Sequence, residues 1–162
     1  MRGIKNKGFT LVELLVVVAI IAILAAVVAI AINPFEIAKK TRDTTRLKDL
    51  DTVRTAINLV VSQSATRSAD QVFGDSNAHD SNAGTQDCNG TGWVPVNVCQ
   101  NLAALPRDPV NSTGYKYEFQ QASGEYELRA KLESQEMQDQ RYTTDGGDDT
   151  TYYEIGTKLS IL

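Results

Sequence analysis

The sequence predicts an α+β chain in which a long N-terminal helix, apolar in its first half and amphipathic in its second, packs on a small antiparallel β-sheet head. Three observations carry this. From Leu14 to Ile32 every residue is Ala, Val, Ile or Leu, 19 in a row without a charge. Leu47, Leu50, Val53, Ile57 and Val60 then recur every three or four residues, the spacing of one helix face. Finally, Tyr115–Phe119 and Tyr126–Leu132 alternate with period two on either side of Ser123-Gly124, as in a β-hairpin.

At about 1.5 Å per residue, the apolar run makes a helix about 28 Å long, close to the thickness of a bilayer's hydrocarbon core. Arg2, Lys5 and Lys7 precede it, a positive flank that stays on the cytoplasmic side, so the rest of the chain is expected outside. Three fates remain open on these grounds. The span is an uncleaved anchor; it is a signal peptide cut after Ala29-Ile30-Ala31, which releases a soluble binding domain; or the chain is cut ahead of the apolar run. Glu13 bears on the choice, because a carboxylate near the start of an apolar segment costs a few kcal/mol in lipid unless paired. Neither a plain anchor nor an ordinary signal peptide has a use for it.

Gly8-Phe9-Thr10-Leu11-Val12-Glu13 ahead of a long apolar helix resembles the N-terminus of type IV prepilins and of type II secretion pseudopilins. The resemblance implies that a prepilin peptidase cuts after Gly8, that the new N-terminal residue Phe9 is N-methylated, and that Glu13 serves filament assembly. It also implies partners: further copies of the same chain in a helical filament, the peptidase, and the assembly machinery of the inner membrane. The expected location is the cytoplasmic membrane as a precursor, then an extracellular pilus or a periplasmic pseudopilus. Cleavage leaves an α-amino group on Phe9, and Glu13 of a neighbouring subunit can neutralise it where both leave water. The chain is thereby divided into a leader (1–8), an apolar core helix (9–33), an amphipathic helix half (34–66) and a head (67–162).

Within the core helix Ala19, Ala22, Ala26 and Ala29 form a small-residue stripe, either a packing seam or a chance alignment. Asn33-Pro34 is expected to kink the helix or mark its exit from the membrane, because Pro lacks an N–H and disfavours helix at the preceding residue. From Arg67 to Gly92 the composition turns to Ser, Asn, Asp and Gly, as in a long surface loop. Cys88 and Cys99, eleven positions apart in a chain read as exported, are expected to form a disulfide. Leu105-Pro106-Arg107-Asp108-Pro109 is a turn-rich connector, and a late strand is expected near Tyr152–Ile155. The run from Leu105 to Leu132 is similar to the head of type II major pseudopilins and some pilins, although the cysteine pair lies outside that pattern.

The acidic turn Asp145-Gly146-Gly147-Asp148-Asp149 offers oxygen ligands suited to calcium, and pseudopilins hold calcium in a C-terminal loop, so Asp145, Asp148 and Asp149 are candidate ligands. The alternative is a solvated acidic turn. His79 receives no role, and neither do the two Asn-x-Thr patterns at Asn89 and Asn111, which are common by chance. One His and two Cys do not make the usual four-ligand zinc site, and no phosphate loop, G-x-S-x-G or H-E-x-x-H is present; no catalysis is expected. Residues 67–162 carry 7 Lys and Arg against 15 Asp and Glu, a net of −8, which disfavours direct nucleic-acid binding.

Overall fold

The computed structural model describes residues 8–64, 72–73 and 77–162, without the side chains of 29–32. Residues 1–7, most of the expected leader, and residues 65–71 and 74–76, in and beside the expected loop, lie outside the described residues. The chain divides into two compact units, one ending at Ala38 and one spanning Lys39–Leu162.

In the first unit α1 runs Leu11–Ile32. Every side chain described in its apolar stretch Leu11–Val28 faces outward, long and apolar enough to cross a membrane. The helix stops where Asn33 adopts a left-handed conformation, φ 42°, one that Asn tolerates better than most residues. Then α2, Pro34–Gln63, begins with proline in its first turn, where a missing N–H costs nothing. The Asn33 carbonyl accepts from Glu36 and Ile37 N–H. The expected kink is thus a stop and a restart.

The second unit is built on the rest of α2, which ends at Gln63 rather than near residue 66. Ser64 closes it, donating its N–H to the Val61 carbonyl and its hydroxyl to that of Val60. Its buried face consists of Asp43, Arg46, Leu50, Val53, Ala56 and Ile57. Leu47, expected in the stripe, is only half-buried, because the face continues N-terminally through Arg46 and Asp43.

Four antiparallel strands follow in the order β1-β2-β3-β4: His79–Asp80, Tyr117–Ala122, Glu125–Ala130 and Tyr153–Gly156. The hairpin forms about the expected turn, with Ser123 and Gly124 at φ 53° and 78°, the double positive φ that matches strand twist. Its first strand starts two residues later than expected, since Tyr115 instead bridges back to Ser112. The segment expected to be all loop supplies the edge strand β1, with His79 opposite Phe119. A short helix α3, Gln135–Arg141, has no counterpart in the periodicity.

Tyr117, Phe119, Tyr126, Leu128, Ala130 and Ile155 project from one face of the sheet onto Leu50, Val53, Ala56 and Ile57 of α2, and Trp93, Val94, Val96, Val98 and Leu105 complete the core. The tyrosines place their hydroxyls at the core's edge, where Tyr117 donates to Asp49 (2.7 Å) and Tyr126 to Asn58 (2.7 Å). Each ring thereby buries apolar area without orphaning its O–H.

Candidate functional site

Gly8 and Phe9 precede α1, with nothing within 4 Å of where a Gly8 side chain would stand and Phe9 almost fully exposed. Thr10 is the N-cap. Its hydroxyl accepts the Glu13 N–H (3.2 Å), while Glu13 Oε2 accepts from Thr10 N–H (2.8 Å) and Thr10 Oγ1–H (2.7 Å). This is a capping box, which satisfies two orphan donors reciprocally. The carboxylate that sequence reasoning gave to a neighbouring subunit therefore has an intrachain partner as well. Thr10 and Glu13 stand three residues apart, the Thr-x-x-Glu pattern from which the box was legible.

Cys88 and Cys99 form a disulfide with Cα atoms 4.9 Å apart. The Val98 N–H donates to the Cys88 carbonyl and Asn89 bridges Asn97, so the crosslink closes a loop that carries the buried Trp93. Trp93 Nε1 donates to the Pro106 carbonyl (2.9 Å). Replacing both cysteines with serine is expected to lower stability by ~2–3 kcal/mol through the freed unfolded chain, read as an earlier denaturant midpoint of Trp93 fluorescence.

The acidic turn is used internally. Asp145 accepts from Gly147 and Glu154 N–H, Asp149 accepts from Thr151 N–H and Oγ1–H, and Asp148 is exposed. Among the described residues no group of three or more His, Cys, Asp or Glu converges as a metal site would require. Beneath the turn lies what sequence reasoning missed, Glu127 and Glu154, both fully buried. Glu127 Oε2 accepts from the Ile161 and Leu162 N–H groups (2.8 and 3.1 Å), pinning the last residues, and Glu154 Oε2 accepts from Asp149 N–H (3.0 Å). A side chain at Gly147 would overlap the Glu154 carboxylate, so the turn closes only over glycine. The remaining oxygen of each glutamate has no donor. One proton between the two carboxyls satisfies both, and burial together with the Glu127 carboxylate pushes the Glu154 carboxyl up to about 7.

A second buried charge cluster joins α2 to the connector and to the strand end after β3. Arg46, with no exposed surface, forks onto Asp108 (Nε to Oδ2 2.6 Å, Nη2 to Oδ1 3.0 Å) and donates Nη1 to Asp43 (2.8 Å) and Glu133 (2.7 Å). Arg42 forks onto Glu133 in turn (2.8 and 2.6 Å). Asp43 also accepts from the Glu133 and Ser134 N–H groups, and the Tyr115 ring lies 5.1 Å from the Arg46 guanidinium carbon. The Arg42 hydrogen bond, followed by that of Arg46, draws the Glu133 carboxyl down to about 2. The signal was in the sequence: Asp43 and Arg46 extend the Leu50, Val53, Ile57 stripe at spacings of three and four.

Residues 4–29 match the family described as the prokaryotic N-terminal methylation motif, the signature of type IV pilins and pseudopilins. No curated protein and no solved structure matches the chain. The motif, together with the exposed apolar helix that carries it, fits a membrane-anchored precursor.

Proposed function

We propose that this chain is the building subunit of a type IV pilus-like filament, cut after Gly8, N-methylated on Phe9 and polymerised through its N-terminal helix. The methylation motif at residues 4–29, running directly into an exposed apolar helix whose only charge is Glu13, carries the reading. In the uncut chain Phe9 N is a peptide nitrogen, and among the described residues Thr10 holds the Glu13 carboxylate. Cleavage creates the Phe9 ammonium. Glu13 of one subunit then meets that ammonium on the next, which fixes axial register more than it adds net stability.

The N-terminus tests the reading directly. Intact-mass measurement of the mature chain is expected to give an N-terminus at Phe9, about 14 Da heavier than the unmodified residue for one methyl group. An N-terminus at Ile32 would mean a released soluble domain instead. The likeness of Leu105–Leu132 to pseudopilin heads makes a type II secretion pseudopilus, moving protein cargo, the second reading. Long fibres recovered by shearing cells support the pilin, whereas periplasmic retention with a secretion defect on deletion supports the pseudopilin.

Assembly separates the two jobs of Glu13. Glu13→Gln keeps a side chain able to complete the capping box but carries no charge, and Glu13→Ala loses both. Both variants are expected to be inserted and cut normally, and both to yield few or no fibres by electron microscopy of sheared material. Normal fibre yield from Glu13→Gln would leave helix capping, rather than charge pairing, as the role of this residue.

A further inference from the structure

The chain carries two Asn-x-Thr patterns, Asn89-Gly90-Thr91 and Asn111-Ser112-Thr113, and the structure separates them. Asn89 is exposed at the base of the disulfide-closed loop, directly after Cys88 and in a bridge to Asn97. Its Oδ1 accepts from both the N–H (3.0 Å) and the hydroxyl (2.6 Å) of Thr91. Its amide nitrogen donates no hydrogen bond among the described residues, so nothing has to be broken to reach it. Carboxamide and hydroxyl are thus held side by side, within reach of a single recognition pocket. Gly90, at φ 93°, supplies a turn that a side chain would strain.

Asn111 stands in the opposite situation. It is half-buried at φ 43°, and its Oδ1 accepts from Ser81 Oγ (3.0 Å), a fully buried serine. Ser112 exchanges both backbone hydrogen bonds with Tyr115. Modification there would require dismantling the turn that leads into β2.

We propose that Asn89 is an N-glycosylation acceptor and that Asn111 is not. The co-substrate class is an oligosaccharide carried on a polyprenyl diphosphate. The Asn89 amide nitrogen forms a bond to the anomeric carbon, the bond from that carbon to the diphosphate oxygen breaks with its electron pair, and the amide gives one proton to a base of the transferase. No oxidant or reductant is needed. The proposal rests on export of the head, because the modification belongs to chains that reach the far side of the membrane.

The test is mass spectrometry of the chain purified from its own cells. The peptide containing Asn89 is expected to carry added sugar mass, lost in Asn89→Gln and Thr91→Ala, retained in Thr91→Ser and unaffected by Asn111→Gln. Trp93 fluorescence of each variant, with the disulfide intact, shows that the loop has folded. Bare Asn89 on a chain whose N-terminus is Phe9 overturns the acceptor assignment while leaving the filament reading standing. Sugar on Asn111 overturns it as well, and an uncut chain with reduced cysteines overturns both readings.

Discussion

Arg46→Ala is expected to cost about 3–5 kcal/mol of stability, the loss associated with removing one partner of a buried ion cluster. The substitution leaves Asp43 and Asp108, both buried, without their guanidinium, and leaves Glu133 with Arg42 alone. Asp43 retains two backbone donors and Asp108 retains those of Val110 and Asn111, so the carboxylates lose their charge partner but not all their hydrogen bonds. Arg46→Lys keeps a charge but not the fork that grips both oxygens of Asp108, and an intermediate loss is expected. Denaturant titration of the full chain in detergent, followed by Trp93 fluorescence, reads the effect on the second unit. A shift below about 1 kcal/mol for Arg46→Ala, the range of exposed ion pairs, would mean that the cluster contributes no more than a surface salt bridge.

The second large effect is a dependence on pH set by the Glu127–Glu154 pair. Glu154 titrates at about 7 in the fold against 4.5 as its ordinary value. Its contribution is therefore complete below about pH 4.5 and is lost as pH rises through 7, because the unfolded chain releases that proton earlier. Glu133 runs the other way. Held at about 2, its contribution is present above 4.5 and is lost as pH falls toward 2. Each is worth on the order of 2–3 kcal/mol, so stability of the second unit should peak near pH 4.5–5 and fall on both sides.

Glu154→Gln provides the discriminating variant. Its carboxamide oxygen can still accept from Asp149 N–H, and its amide can donate to Glu127 at any pH. The slope between pH 4.5 and 7 is expected to flatten, with stability at pH 8 raised on the order of 2–3 kcal/mol, while the acid limb governed by Glu133 is unchanged. Unfolding midpoints measured from pH 3 to 8 for both proteins check this, and parallel curves would mean that the two glutamates do not share a proton.

The linear sequence determined the elements whose signals are local. The apolar run from Leu14 to Ile32, the break at Asn33-Pro34 and the hairpin turn at Ser123-Gly124 each depend on neighbours within a few positions, and each is found where the sequence puts it. The methylation motif is local too, matched within residues 4–29. Other features depended on contacts between distant segments. Arg46 reads as one more cation on an amphipathic helix until residues 62 and 87 positions away bring Asp108 and Glu133 to it. Glu127 alternates with Tyr126 and Leu128 as an outward-facing strand residue should, and becomes buried only because the acidic turn and the last residues fold over that face. The same closure engages Asp145 and Asp149, the candidate calcium ligands, with backbone donors. The two Asn-x-Thr patterns are equivalent as strings and differ only in what surrounds them. Burial of a polar group depends on which segment covers it, and that covering is a property of the packed chain rather than of spacing along it.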